Sequence, residues 1–244
     1  MFNANGVVII LIAINAVIFY VTQSFSEVMY DTLGLFYPLN DTFQPWQFFT
    51  HMFMHGGFGH LLLNMFGLLM FGSLLERVWG KWRFLVFFLL SGLGAALFYQ
   101  VTNYIQFDTN YQQLLSAGLT VEEVKSMLQK GMYPPTVLSE EQAGDLISIY
   151  NSPMVGASGA LYGLLVAFAM LFPNHKLFLL FLPVPIPAKF FIPVLIAIDV
   201  GLGFFGTSLF GLNVAHFAHV GGAITGFLLM IFWKTRPPKI IPSK

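Results

Sequence analysis

Six separate stretches of this chain are apolar for long enough, or nearly long enough, to cross a bilayer, and that pattern limits the fold before any single residue is considered. A crossing helix needs about 20 mostly apolar residues. The spacing predicts spans near 6–24, 58–77, 84–104, 154–172, 190–207 and 213–233, the fifth interrupted by Pro193 and Asp199. Within lipid a backbone has no water to pair with, so runs of this kind must satisfy their own N–H and C=O groups as helices. The expected fold class is all-α: a polytopic membrane protein, with residues 1–244 forming a single membrane domain built on a six-helix bundle. Composition agrees, because only 9% of the residues are charged against about 25% in a soluble domain.

Charge sets the orientation. Arg77, Lys81 and Arg83 follow the second span, Lys176 and Lys189 follow the fourth, and Lys234, Arg236, Lys239 and Lys244 follow the sixth. Nine of the eleven basic residues therefore fall on one side, with only Lys125 and Lys130 on the other. By the positive-inside rule both termini face the cytoplasm. The N-terminal Met1-Phe2-Asn3-Ala4-Asn5 lacks the basic start of a signal peptide, so the first run is expected to stay as a span. The absence of a targeting peptide and the short tails point to a bacterial inner (plasma) membrane. A formal net charge of zero argues against nucleic acid as a partner. With no cysteine, disulfides, zinc–thiolate sites and a thiol nucleophile are excluded.

Two connections on the external side are long. Residues 25–57 carry no Lys or Arg but many aromatics, including Tyr30, Tyr37, Trp46 and Phe49, the composition of a loop lying in the headgroup zone. Residues 105–153 are polar and read as a small external subdomain of short helices. Thr120-Val121-Glu122-Glu123 and Ser139-Glu140-Glu141-Gln142 match the capping-box spacing, and Gly131 is a C-cap candidate. On the internal side, residues 181–187, with prolines at 183, 185 and 187, form a stiff structural turn.

The residues that carry chemistry lie near the outer ends of the spans. Gly156-Ala157-Ser158-Gly159-Ala160-Leu161-Tyr162-Gly163 places a hydroxyl about a turn and a half inside the fourth span, among residues with almost no side chain. Glycines four apart are a packing face for a neighbouring helix, or they clear space around a serine nucleophile. Spans 2, 4 and 6 all enter from outside, and counting ~1.5 Å per residue puts Asn64, Ser158 and His219 at one depth, ~7–9 Å below the surface. Polar groups inside a bilayer face a partner or a watery cavity. Serine, imidazole and amide at one level are the nucleophile, base and oxyanion donor of acyl transfer. Gly222 and Gly226 share a helix face with His219 and suit the glycine face of span 4. Each residue also has a plainer role: His60 and His216 as packed histidines, Asn64 as interhelical glue. His51, His55 and His60, or His216 and His219, could ligate a metal, but no His-Glu-x-x-His is present and no carboxylate is expected near them; neither metal nor cofactor is expected. Asp199 has no second membrane aspartate with which to form an aspartyl pair, and reads as structural.

Taken together, these segments resemble the rhomboid intramembrane serine proteases. The resemblance rests on Gly156-Ala157-Ser158-Gly159 with Tyr162, on Ala218-His219-Val220-Gly221-Gly222 with Gly226, on His60-Leu61-Leu62-Leu63-Asn64, and on Glu76 with Gly80. It covers everything except the 105–153 insert. It implies a six-span rhomboid-like bundle in which Ser158 is the nucleophile and His219 the base, as a dyad without a carboxylate. It also implies that His60 and Asn64 join the Ser158 N–H in the oxyanion hole, that Gly156 lines that hole, and that Tyr162 stacks on His219. The implied substrates are single-pass membrane proteins cut in or beside their transmembrane segments. The family often has Trp-Arg in the first external loop, where this chain has Trp46-Gln47, so a loop-stabilising charge is missing. An alternative is a non-catalytic rhomboid-like protein that binds transmembrane clients. A transporter would need inverted repeats with broken helices, and none is visible.

Overall fold

The computed structural model describes residues 6–179, 182–205 and 215–233. Met1–Asn5, Phe181 of the proline turn, the ends of the fifth and sixth predicted spans at 206–207 and 213–214, and the basic tail from Lys234 onward lie outside the described residues.

The chain is a helical membrane protein. Helix α1 (Gly6–Ser24) is followed by two short loop helices, α2 (Ser26–Leu33) and α3 (Gln47–Thr50). The second span is one helix, Phe58–Trp79, made of α4 (Phe58–Gly67), a π-helical turn over Leu68–Gly72 and α5 (Ser73–Trp79). Helix α6 (Lys81–Ser116) precedes α7 (Val121–Lys130), α8 (Glu140–Asn151) and α9 (Ser158–Leu171). A hairpin of β1 (Lys176–Leu179) and β2 (Leu182–Pro187) leads to α10 (Ala188–Phe205) and α11 (His216–Phe232). Helices Gly6–Ser24, Phe58–Trp79 and Lys81–Ser116 are long and apolar enough to cross a membrane. Side chains such as Val17, Tyr20, Leu63, Phe66, Phe227 and Phe232 stand exposed on the outer faces of the bundle, where only lipid would accept them.

Glycines bring the central helices into near backbone contact. A Cβ on Gly222 of α11 would collide with the Gly159 carbonyl of α9, and one on Gly226 would stand 2.5 Å from the Gly163 Cα. On the other side, a Cβ at Gly94 of α6 would strike Thr225, and one at Gly221 would strike Phe98. Helix association in lipid depends on such close packing, since burial from lipid tails supplies no hydrophobic gain. The packing reading of the glycine face is thus seen directly in these close approaches. Below this level Phe84, Phe87, Phe88, Leu164 and Met230 fill the core.

Several boundaries differ from the sequence reading. The 105–153 insert does not begin with a new helix. Instead α6 continues without a break to Ser116, 36 residues in all. At about 1.5 Å per residue that is about 54 Å, far more than the about 30 Å of hydrocarbon, so its last third extends past the length a bilayer needs. Phe107 and Leu114 of this extension form a separate core with Val124 and Leu128 of α7, Leu146 and Tyr150 of α8, and Tyr37 from the loop between α2 and α3. Both capping boxes are formed, at Thr120/Glu123 and Ser139/Gln142, and Gly131 ends α7 in the left-handed conformation. The subdomain grips the loop beneath it: Asn40 Nδ2 donates to the Tyr150 carbonyl at 2.7 Å, and Lys125 and Gln129 both reach Asp41. The proline-rich internal turn is the second strand of an antiparallel hairpin, with Leu177 opposite Ile186. Prolines at alternate positions withhold the N–H groups a third strand would need.

The fourth span also differs. Its helix starts at Ser158, not at 154, so the serine is the first helical residue rather than an interior one. The preceding residues are extended: Met154 pairs with Leu35 as an antiparallel bridge, and the Gly156 N–H donates to the His51 carbonyl at 2.9 Å. Gly156 has φ of +121°, a conformation that L side chains rarely adopt. A 14-residue helix is about 21 Å long, about 9 Å short of the hydrocarbon thickness.

Candidate active site

Three helices that run in the same direction bring their first turns together. Ser158 opens α9, His219 lies in the first turn of α11, and His60 is the third residue of α4. The N–H groups of a helix's first turn have no intrahelical acceptor, and the helix dipole is positive there. The start of α9 is therefore suited to stabilising negative charge beside Ser158.

The Ser158 hydroxyl donates to His219 Nε2 at 2.8 Å. His219 is 8% exposed, and Tyr162 lies parallel to its ring, with ring centroids 4.2 Å apart and planes 11° off parallel. His60 stands on the other side of Gly156: a Cβ at position 156 would sit 2.7 Å from His60 Nε2 and 3.7 Å from Ser158 Oγ. Any side chain there would fill the gap between the hydroxyl and the imidazole of His60. Asn64 is placed less directly. Its amide donates back to the His60 carbonyl at 2.8 Å, and its Oδ1 is buried without a partner. No hydrogen bond joins it to Ser158 among the described residues.

One component was misread from the sequence. The Asp199 carboxylate of α10 is buried against this site, not apart from it. His219 Nδ1 donates to Asp199 Oδ1 at 3.2 Å, His216 Nδ1 donates to the same oxygen at 2.6 Å, and the Tyr162 hydroxyl donates to Oδ2. The expectations of a carboxylate-free pair, and of histidines with no carboxylate nearby, are both corrected. The ligand atoms of Asp199, His216 and His219 lie within 4.8 Å of one another. Asp199 Oδ1 stands at hydrogen-bond length from both Nδ1 atoms, so the carboxylate is already engaged, whereas His216 Nε2 is buried without a partner.

The two other histidines belong to the loop. His51 is buried and its Nδ1 donates to the Gln47 carbonyl at 2.9 Å. Burial pushes it down to about 4. His55 packs edge-on against His60, with centroids 5.0 Å apart, and burial followed by the charge of His60 pushes it down to about 3. Both are neutral near pH 7. Gln47 is wholly buried and fully bonded. Its Oε1 accepts from Phe36 N and Gln44 N, and its Nε2 donates to the carbonyls of Asp31 and Thr42. Farther in, the Glu76 carboxylate accepts the N–H groups of Val7 and Val8, both at 3.0 Å, and so caps the start of α1.

With this geometry in hand, the comparison with known proteins is decisive on family. Residues 42–235 match the Rhomboid domain. The chain belongs to the rhomboid family. It is 30% identical over 212 residues to a mitochondrial rhomboid protein of Schizosaccharomyces pombe, covering 78% of this chain and 52% of that one. It is 28% identical over 209 residues to rhomboid protease AarA of Providencia stuartii, covering 84% and 61%. It is 29% identical over 187 residues to RHOMBOID-like protein 6, mitochondrial, of Arabidopsis thaliana, covering 76% and 43%. This rhomboid therefore spans about half the length of these relatives. The family includes a named protease, and the helices of this member are apolar enough to lie in a membrane.

Proposed function

We propose that this rhomboid is an intramembrane serine endopeptidase that cleaves peptide bonds in or beside the transmembrane segments of single-pass membrane proteins. The observation that carries the reading is the 2.8 Å contact between Ser158 Oγ and His219 Nε2 in the first turns of two helices. His219 takes the hydroxyl proton as Ser158 attacks the scissile carbonyl carbon. The resulting oxyanion is held by the Ser158 N–H at the α9 N-terminus, with His60 and Asn64 as further donors. The amine leaves with the proton from His219 Nε2, and water, deprotonated by the same nitrogen, hydrolyses the acyl-enzyme. A substrate helix must unwind to present its carbonyl, so small or helix-breaking residues near the cleaved bond favour cutting.

The basic inner loops support an orientation with both termini on the cytoplasmic side and the site opening outward. The bacterial relative supports a plasma-membrane location, and the mitochondrial names of the other two support an organellar one. Fractionation of the native host decides between these. The activity is tested with a labelled transmembrane substrate in liposomes. The unaltered protein is expected to cleave it and Ser158→Ala is not. Fluorophosphonate should label the former alone. Equal cleavage by both, or no labelling of Ser158, refutes the protease reading and favours the non-catalytic client-binding alternative.

A further inference from the structure

We infer that Asp199 is a positioning residue for His219, so that the site works as a serine–histidine–aspartate triad rather than a two-residue pair. The inference rests on the protease reading above and adds to it a third helix, α10. Asp199 is 5% exposed, and a carboxylate at this depth in a bilayer is costly unless it is paired and bonded. Three donors converge on it: Tyr162 Oη at one oxygen, His216 Nδ1 and His219 Nδ1 at the other.

A carboxylate that served only to tie α10 to its neighbours would accept from whichever groups faced it. Here it accepts from the Nδ1 edge of the imidazole whose Nε2 faces Ser158. To donate to a carboxylate, His219 must carry its proton on Nδ1. That leaves the Nε2 lone pair facing the serine hydroxyl, the tautomer a general base needs. When Nε2 takes the serine proton, the imidazolium lies beside a fixed negative charge. Asp199 stays ionised throughout and returns no proton. His216 and Tyr162 then hold the carboxylate in place. His216 is the nearer of the two imidazoles, at 2.6 Å, and the ring that Tyr162 stacks on is the one that Asp199 orients.

The test uses the full chain in liposomes with Asp199→Asn, His216→Ala and His216→Asn. Asp199→Asn can offer an N–H to Nδ1, which turns the ring to the Nε2–H tautomer. Its kcat should fall by about 10²–10⁴-fold, with KM within about threefold, the mark of an interaction made in the transition state. His216→Ala should lower kcat, and His216→Asn should restore most of it, since an amide N–H can donate where Nδ1 did. Nitrogen-15 histidine spectra of the intact protein should show His219 as Nδ1–H in the parent and as Nε2–H in Asp199→Asn. A kcat within threefold of the parent, with an unchanged tautomer, overturns the inference. Should Asp199→Asn fail to fold, the His216 pair decides: equal kcat in His216→Ala and His216→Asn overturns it as well. If the parent cleaves no better than Ser158→Ala, the protease reading fails separately, and the parent tautomer decides the Asp199 assignment alone.

Discussion

Gln47 offers the clearest link between a single side chain and the position of the site. It is 0% exposed and makes four hydrogen bonds, two accepted from the N–H groups of Phe36 and Gln44 and two donated to the carbonyls of Asp31 and Thr42. Gln47→Leu keeps the volume and removes all four. At a net value of about 1 kcal/mol for each such bond, the loss is about 4 kcal/mol. For a protein of this size each kcal/mol moves the melting temperature by about 2–4 °C, so thermal unfolding in one detergent should shift down by about 8–16 °C. Gln47→Arg should not rescue it. A guanidinium has no acceptor for the two N–H partners. Activity should fall with stability, because Leu35 and His51, at the two ends of this loop, hold the Met154–Gly156 strand that leads into Ser158. A Gln47→Leu shift below about 3 °C, or an Arg variant as stable as the parent, would refute the claim that this amide organises the loop.

Three other outcomes are expected. Because burial holds His51 at about 4 against about 6.5 when unfolded, its contribution is complete above pH 6.5. It is lost as pH falls from there to about 4, a loss of about 3 kcal/mol; His51→Gln should make that part of the stability–pH curve shallower, the remaining slope coming from His55. Glu76→Ala uncaps α1 and should cost about 1–2 kcal/mol in detergent unfolding, with Glu76→Gln intermediate, because an amide oxygen can still accept. Gly156→Ala forces a side chain into a φ of +121° and against His60; cleavage should drop by about 10²–10³-fold, as for loss of an oxyanion donor, with Ser158 still accessible to a small fluorophosphonate.

The readable parts of this chain were those where one segment decides the outcome by itself. Both capping boxes, the αL glycine at 131 and the glycine faces at 159/163 and 222/226 follow from local spacing, and the structure has them. Depth counting led to Ser158 and His219, even though Ser158 proved to start its helix. Six residues of extended strand and turn, 152–157, carry the chain inward at more than helical rise per residue. Asp199 was missed because depth was counted only on helices entering from outside. Helix α10 runs the other way, so a count from outside passed it over; the contact with His219 is what sets the carboxylate at the level of the serine. The length of α6 was hidden for a different reason: polar residues after 104 mark where a helix leaves lipid, not where it stops.

The π turn at Leu68–Gly72 settles which way the second span faces at its two ends. His60 and Glu76 are sixteen positions apart, and at about 100° per residue a regular α-helix would set them about 160° apart, on opposite sides. A π turn absorbs one extra residue, which closes that angle to about 60°. One helix can thus direct its outer imidazole toward the serine and its inner carboxylate toward the start of α1, both inside the bundle. Deleting a single residue from 68–72 would leave a regular helix with the two groups fifteen positions apart, again about 60°, so both would still face inward; straightening the turn with every residue kept would turn one of them toward lipid.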